Sequence, residues 1–154
     1  MGETVSVERE IAAPPEQVWA MVSDVERMGE WSPETVGCRW LGDAAGPAPG
    51  ARFRGRNRRG GRRWSTECTV TQAEPGGIFA FESKAGPFRI ARWSYRFEPT
   101  DDGCRVIEEW WDQRGTVIKA LGTVISGVSD RAVHNRAGMH TTLERLATAA
   151  ESAG

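Results

Sequence analysis

This chain has no excess of charge, no long apolar run, few cysteines and very little histidine or tyrosine. Its 20 basic residues face 21 acidic ones, for a formal net charge of −1. The molecule as a whole therefore projects no positive field of the kind that gathers nucleic acid or anionic lipid. No stretch approaches the roughly 20 apolar residues needed to span a bilayer, and no basic start followed by an apolar core marks a secretory leader. Cys38, Cys68 and Cys104 are odd in number and far apart, a pattern that suits neither a zinc site nor a redox dithiol. They read as reduced core residues of a cytoplasmic protein. The only histidines, His134 and His140, stand six residues apart and so on different faces of a helix, which prevents them from chelating one metal together. No metal and no cofactor is expected. The glycine clusters follow neither spacing that cradles nucleotide phosphates, which removes nucleotide hydrolysis and nicotinamide chemistry. No Ser/His/Asp or Cys/His arrangement can be built. Met1-Gly2 with Ser6 fits a myristoylation pattern in form, but so short a match carries little.

What the chain does have is aromatic residues on alternate positions. Trp64, Phe79, Phe81, Trp93, Tyr95, Phe97 and Trp110 recur through residues 51–113 in one candidate strand after another. A buried ring contributes about 1.5–3 kcal/mol, and closing a small sheet against one helix rarely takes so many. The surplus predicts a sheet curved around a cavity.

At 154 residues the chain is one domain, large enough for a core without metal or disulfide staples. Residues 4–12 alternate as a half-buried strand and stop at Pro14-Pro15. Val18, Met21, Val22, Val25 and Met28 then mark a short helix over 15–28, ended by Gly29. A turn through Trp31-Ser32-Pro33-Glu34 leads to a strand at 35–41, and Gly42–Gly50 is a loop. Strands at 51–58, 63–73, 77–83, 88–98 and 103–113 follow, joined by turn sequences such as Gly60-Gly61 and Asp101-Asp102-Gly103. The period then changes. Residues 116–126 form a short apolar helix, and Ser129 is placed to cap a long closing helix whose stripe is Ala132, Met139, Leu143, Leu146 and Ala150. One helix covers only part of a twisted seven-stranded antiparallel sheet, so the simplest outcome is a pocket between the two.

Several segments carry a family resemblance: Pro14–Trp19, Gly29–Glu34, Gly50–Asn57, Trp93–Pro99, and Gly138-Met139 followed by Thr142–Leu146. With this order of elements the chain resembles the START-like, SRPBCC superfamily, in the branch labelled polyketide cyclase/dehydrase and lipid transport. The resemblance covers nearly the whole chain, 1–154. It implies an α+β helix-grip fold, in which a curved seven-stranded antiparallel sheet wraps around a long C-terminal helix, with short helices after strand one. It also implies a hydrophobic cavity. Members of the superfamily include aromatase/cyclases, lipid carriers and hormone receptors, so no catalytic residue carries over.

Strand period assigns the inner face. Trp93, Tyr95 and Phe97 fall together, as do Trp64 with Cys68, Phe79 with Phe81, and Phe53 with Gly55 and Asn57. The expected ligand wall is Asn57, Trp64, Phe79, Phe81, Trp93, Tyr95 and Trp110 from the sheet, with Met139 and Leu143 from the helix. In strand 103–113 both alternating sets contain apolar residues, which leaves its register open. If Glu108 faces inward, desolvation raises its pKa and makes it an acid or base for an enolisable ketone. The commoner arrangement for a strand glutamate is a rim ion pair with an arginine. Tyr95 is a hydrogen-bond donor to a ligand carbonyl, and His140, beside Met139 and Leu143, grazes the pocket in this reading, with His134 exposed. Ordinary structural hydrogen bonding is the plainer role for each.

Glu108 and Glu109 are no catalytic dyad, because adjacent strand residues point to opposite faces. The arginine run Arg52, Arg54, Arg56, Arg58, Arg59, Arg62 and Arg63 alternates with Phe53, Gly55 and Asn57, as an outer strand face does, which argues against nucleic acid. It also suits docking to an acidic protein. Segment 116–126 has three readings: completion of the core, a lid over the pocket mouth, or a contact between two copies in a homodimer. Lys119 and the segment's short length oppose membrane insertion. The expected ligand is a polyketide, fatty acyl, sterol-like or aromatic compound, either carried or, in a cyclase, aromatase or dehydratase, chemically changed. A partner-binding regulator is the further alternative.

Overall fold

The computed structural model describes residues 3–153. Met1 and Gly2, and with them the myristoylation pattern, lie outside the described residues. Seven strands form one antiparallel sheet in the order β1-β7-β6-β5-β4-β3-β2. They are β1 (Thr4–Ile11), β2 (Thr35–Trp40), β3 (Arg52–Arg59), β4 (Arg62–Glu74), β5 (Ile78–Ala85), β6 (Phe88–Thr100) and β7 (Gly103–Asp112). Strands β2 to β7 are a meander of hairpins, and β1 returns to pair with β7. Register shifts at Thr35/Gly37, Val70/Gln72 and, opposite Ser83/Lys84, at Arg89/Ala91 place extra residues in β2, β4 and β6, which bend the sheet into a trough.

The helices are α1 (Pro15–Ser23), α2 (Thr116–Ser126) and α3 (Arg131–Ala153), so the α+β helix-grip architecture is the observed one. The helix expected over 15–28 stops early. Asp24 leaves helical geometry and a 3-10 helix, Val25–Glu30, takes over. The change brings Gly29 against β2, where a Cβ would stand 2.8 Å from the Val36 carbonyl oxygen. Only glycine permits that approach, and it fixes where the following Trp31–Glu34 turn is delivered. At the start of α3, Asp130 is the cap in place of Ser129, its carboxylate accepting from the Val133 amide at 3.2 Å.

The packed core lies at one end of the trough, where α1 and the C-terminal half of α3 meet the sheet. Val18, Phe79, Val106, Leu146 and Ala150 are buried there. β7 resolves its ambiguity by turning Cys104, Val106, Glu108, Trp110 and Asp112 inward. The opposite face keeps its apolar members by covering them. Trp111, for instance, lies under the Arg92 guanidinium, 4.9 Å from the ring centroid.

Candidate functional site

Toward the other end, the N-terminal half of α3 and the sheet enclose a cavity of about 780 Å³. Its volume suits a drug-sized or larger ligand. β3 to β7 supply the floor, α3 one wall, and α2 borders the mouth. Of the expected wall, Asn57, Trp64, Phe81, Trp93, Tyr95, Trp110 and Met139 border the cavity. Phe79 and Leu143 do not. Both are fully buried in the packed core, because their positions on β5 and α3 fall on the closed end of the trough. The rings interlock: Phe53 meets Phe81 edge to face at 5.2 Å, and Trp93 lies 6.5 Å from Trp110.

Among these rings sits a buried carboxyl. Glu108 is 2% exposed, and its Oε2 accepts a hydrogen bond from the Tyr95 hydroxyl at 2.8 Å. The expected arginine partner is absent among the described residues. Both neighbouring positions on its face of β7, Val106 and Trp110, are apolar, so nothing cationic reaches it. Burial pushes the Glu108 pKa up to about 8, against the smaller opposing pull of the Tyr95 hydrogen bond. The Tyr95 hydroxyl is itself driven well above its ordinary value, by burial first and by Glu108 second. At neutral pH the carboxyl therefore keeps its proton. Tyr95 already donates to Oε2, so the acid proton belongs on Oε1, a buried atom without any hydrogen-bond partner.

The cysteine thiols on the wall are chemically quiet. Burial pushes Cys38 and Cys68 up to about 12 each, so neither supplies a thiolate. Among the described residues no group of His, Cys, Asp and Glu is placed to hold a metal ion.

A second polar group stands on the cavity wall near α2. Glu34, at the end of the Trp31–Glu34 turn, receives Arg131 Nη1 on Oε1 at 2.6 Å and faces His134 Nε2 with Oε2 at 2.9 Å. Arg131 also donates to Asn135 at 3.3 Å and lies 5.8 Å from the Trp64 ring centroid. The expected roles of the histidines are reversed: His134 borders the cavity, whereas His140 is exposed. On α3, His134 shares a face with Arg131 and Asn135 at spacings of three and four, whereas His140 lies on the exposed side. That spacing was readable; the partner Glu34, about a hundred residues away in the chain, was not.

α2 does not complete the core. Its only buried residue is Ser126; Val117 and Val124 are 71% and 69% exposed, while Ile118 and Ile125 border the cavity. Arg62 and Arg59 donate to the carbonyls of Val124 and Ser126 at its C-terminal end. Ahead of its first turn, Arg114 binds both oxygens of Asp112 at 2.9 Å. Burial alone would raise the Asp112 pKa, but those hydrogen bonds outweigh it and the value is lowered.

A sequence profile described as polyketide cyclase/dehydrase and lipid transport matches residues 3–151. The chain belongs to this family. A polyketide-cyclase-like protein from Corynebacterium glutamicum, solved by NMR, is 30% identical, with 98% of this chain and 90% of that one covered and a TM-score of 0.58. The di-domain ARO/CYC StfQ from the steffimycin biosynthetic pathway shares the fold at a TM-score of 0.75 and 13% identity, covering 99% of this chain and 51% of that one. A protein from Mesorhizobium loti aligns over 95% of both chains at 22% identity and a TM-score of 0.66. No curated protein matches the chain. Membership of the polyketide cyclase/dehydrase and lipid transport family points to hydrophobic ligand binding or a cyclase role. Among the described residues no helix is long and apolar enough to cross a membrane.

Proposed function

We propose that this protein binds a small, largely apolar molecule bearing a carbonyl group, and that Glu108 donates its acid proton as a hydrogen bond to that carbonyl. The observation carrying this reading is the buried, unpartnered Oε1 of Glu108, a residue that borders the cavity beside Tyr95, Trp93 and Trp110. An unmade hydrogen bond of a buried polar atom costs about 1–3 kcal/mol, which a ligand oxygen recovers. Apolar parts of the wall supply the affinity, and the buried acid sets orientation. A cavity of this size also speaks for a small-molecule ligand over a regulator that binds only proteins.

A second reading, a cyclase, aromatase or dehydratase, has its own support: an inward carboxyl that keeps its proton at neutral pH and has no balancing arginine is suited to general acid work. Both readings share the binding step. It is tested with 2-tetralone and its hydrocarbon counterpart tetralin, using quenching of the cavity tryptophans. The ketone should bind about tenfold more tightly, matching one hydrogen bond of roughly 1.4 kcal/mol. In Glu108→Leu the preference should vanish. Equal affinities in the wild type would refute the assignment.

A further inference from the structure

The outer face of the sheet, turned away from the cavity, carries its charge in two different ways. Over β1, β6 and β7 the arginines are neutralised in place: Arg96 pairs with Glu109 at 3.2 Å, and Arg105 with Glu10 at 3.4 Å and with Glu98 at 3.7 Å. Over β2, β3 and β4 they are not. Arg54 and Arg56 alternate along β3 with Phe53, Gly55 and Asn57, which border the cavity. With Arg39 on β2 and Arg63 on β4 they are exposed, and none of the four forms an ion pair among the described residues. Glu67, directly opposite Arg54, gives its carboxylate to Arg52 at 2.8 Å. Strand register then sets like charges side by side, Arg39 against Arg54 and Arg58 against Arg63. Cross-strand pairs of one sign destabilise a sheet, so the free fold gains nothing from this cluster. A bound anion would turn the same arrangement into an attraction.

The geometry of the patch selects the partner. Arg54 and Arg56 stand two positions apart on one strand, about 6.8 Å, which is the repeat at which an extended chain presents alternate side chains. All four positions are arginine rather than lysine, and a guanidinium grips a carboxylate through two parallel N–H bonds. Nucleic acid bases find no platform here. Trp40 packs on Phe53 at 5.6 Å, Phe53 is buried and Trp64 borders the cavity, so the rings of these three strands are turned inward. A formal net charge of −1 also gives the whole molecule no long-range pull on a polyanion. β2 is an edge strand, but the extra residue Val36 interrupts its ladder, and Gly29 stands against the Val36 carbonyl. A partner strand therefore does not extend the sheet, and recognition falls to the side chains.

We propose that the outer face of β2, β3 and β4 docks an extended, acidic segment of another protein. Alternate carboxylates of that segment lie on Arg54 and Arg56, with Arg39 and Arg63 holding its flanks. The contact is on the side of the sheet opposite the ligand wall and is independent of the carbonyl-binding reading. Each exposed charge pair contributes little alone, so affinity comes from several acting together and falls as salt is added.

The test is fluorescence anisotropy of a labelled heptapeptide of alternating glutamate and threonine, titrated with the intact protein. The peptide should bind saturably at low ionic strength and progressively less well as salt is raised. An isomer with its glutamates in one block should bind several-fold more weakly. Arg54→Ser combined with Arg56→Ser should cost at least about tenfold in affinity. Arg39→Thr and Arg63→Thr should each cost about threefold while raising Tm by about 1–3 °C, because each removes one of two opposed like charges. Arg105→Thr, the same exchange in the neutralised half of the face, should lower Tm and leave affinity unchanged. A cluster that serves only the fold would instead lose Tm in Arg39→Thr and Arg63→Thr, and that result overturns the proposal. With wild-type protein alone, absence of saturable binding, or equal affinity for the block isomer, overturns it as well. Tighter binding of a single-stranded dodecanucleotide or of phosphatidylserine vesicles, lost in the Arg54/Arg56 double variant, would assign the face to nucleic acid or membrane instead.

Discussion

Tyr95 and Glu108 stand directly opposite each other on β6 and β7, and the tyrosine hydroxyl donates to the carboxyl across the strands at 2.8 Å. The pairing satisfies one oxygen of a buried acid and leaves the other without a partner. Removing it should raise the Glu108 pKa beyond about 8, because the Tyr95 hydrogen bond is what pulls that value down. Tyr95→Phe should accordingly titrate at higher pH in carbon-13 NMR of the labelled carboxyl, and lose about 1–3 kcal/mol of stability from the orphaned oxygen.

The same acid makes stability depend on pH with a definite sign. The folded-state pKa lies above that of an unfolded glutamate, so the folded protein binds the extra proton. The contribution is full below the ordinary glutamate range, declines as pH rises toward about 8 and levels off above it. Denaturation midpoints across that window should fall with pH in the wild type, and Glu108→Gln should flatten this component. Asp112, whose pKa is lowered, acts oppositely and only on stronger acidification.

Gly55 faces the cavity, and a Cβ there would make ordinary 3.6 Å contacts with Cys38 and Thr66. Gly55→Leu should therefore intrude on the void without forcing the backbone. The expected result is at least a tenfold loss of 2-tetralone affinity with little change in Tm.

At the opposite extreme is Gly103, the first residue of β7. A Cβ there would fall on the Ile11 carbonyl oxygen and within 2.6 Å of the Ala13 amide nitrogen. Gly103→Ala should cost more than about 3 kcal/mol by chemical denaturation, since only backbone movement relieves the overlap.

α2 is held at its C-terminal end by Arg62 and Arg59 rather than by core packing. Arg62→Ala should raise amide hydrogen exchange across residues 116–126 while leaving exchange in α3 beyond Met139 unchanged, because that half of α3 is anchored by the buried Leu143, Leu146 and Ala150.

The strand and helix periods made most of this architecture readable. Alternation placed Trp93, Tyr95 and Trp110 on the inner face, and the helical stripe through Met139 and Leu146 named the covering helix. What the pattern could not say was how far along the trough packing ends and void begins, so Phe79 and Leu143 were grouped with residues that border the cavity. β7 defeated the periodic argument because both of its faces are covered, one by the helices and one by side chains such as Arg92 over Trp111. The polar cluster was harder still. Arg131, His134 and Asn135 share a helix face on spacing alone, but Glu34 meets them only through tertiary folding, and that fold decides which histidine borders the cavity.

Proposed here for Glu108 is a protonated acid that donates to a ligand carbonyl. Infrared difference spectroscopy at pH 7 between wild type and Glu108→Gln, with and without 2-tetralone, reads it directly. A carboxylic-acid band present only in the wild type, shifting when the ketone binds and converting to carboxylate as pH passes about 8, is the predicted result. A carboxylate band at pH 7, or an acid band unmoved by bound ketone, would contradict it.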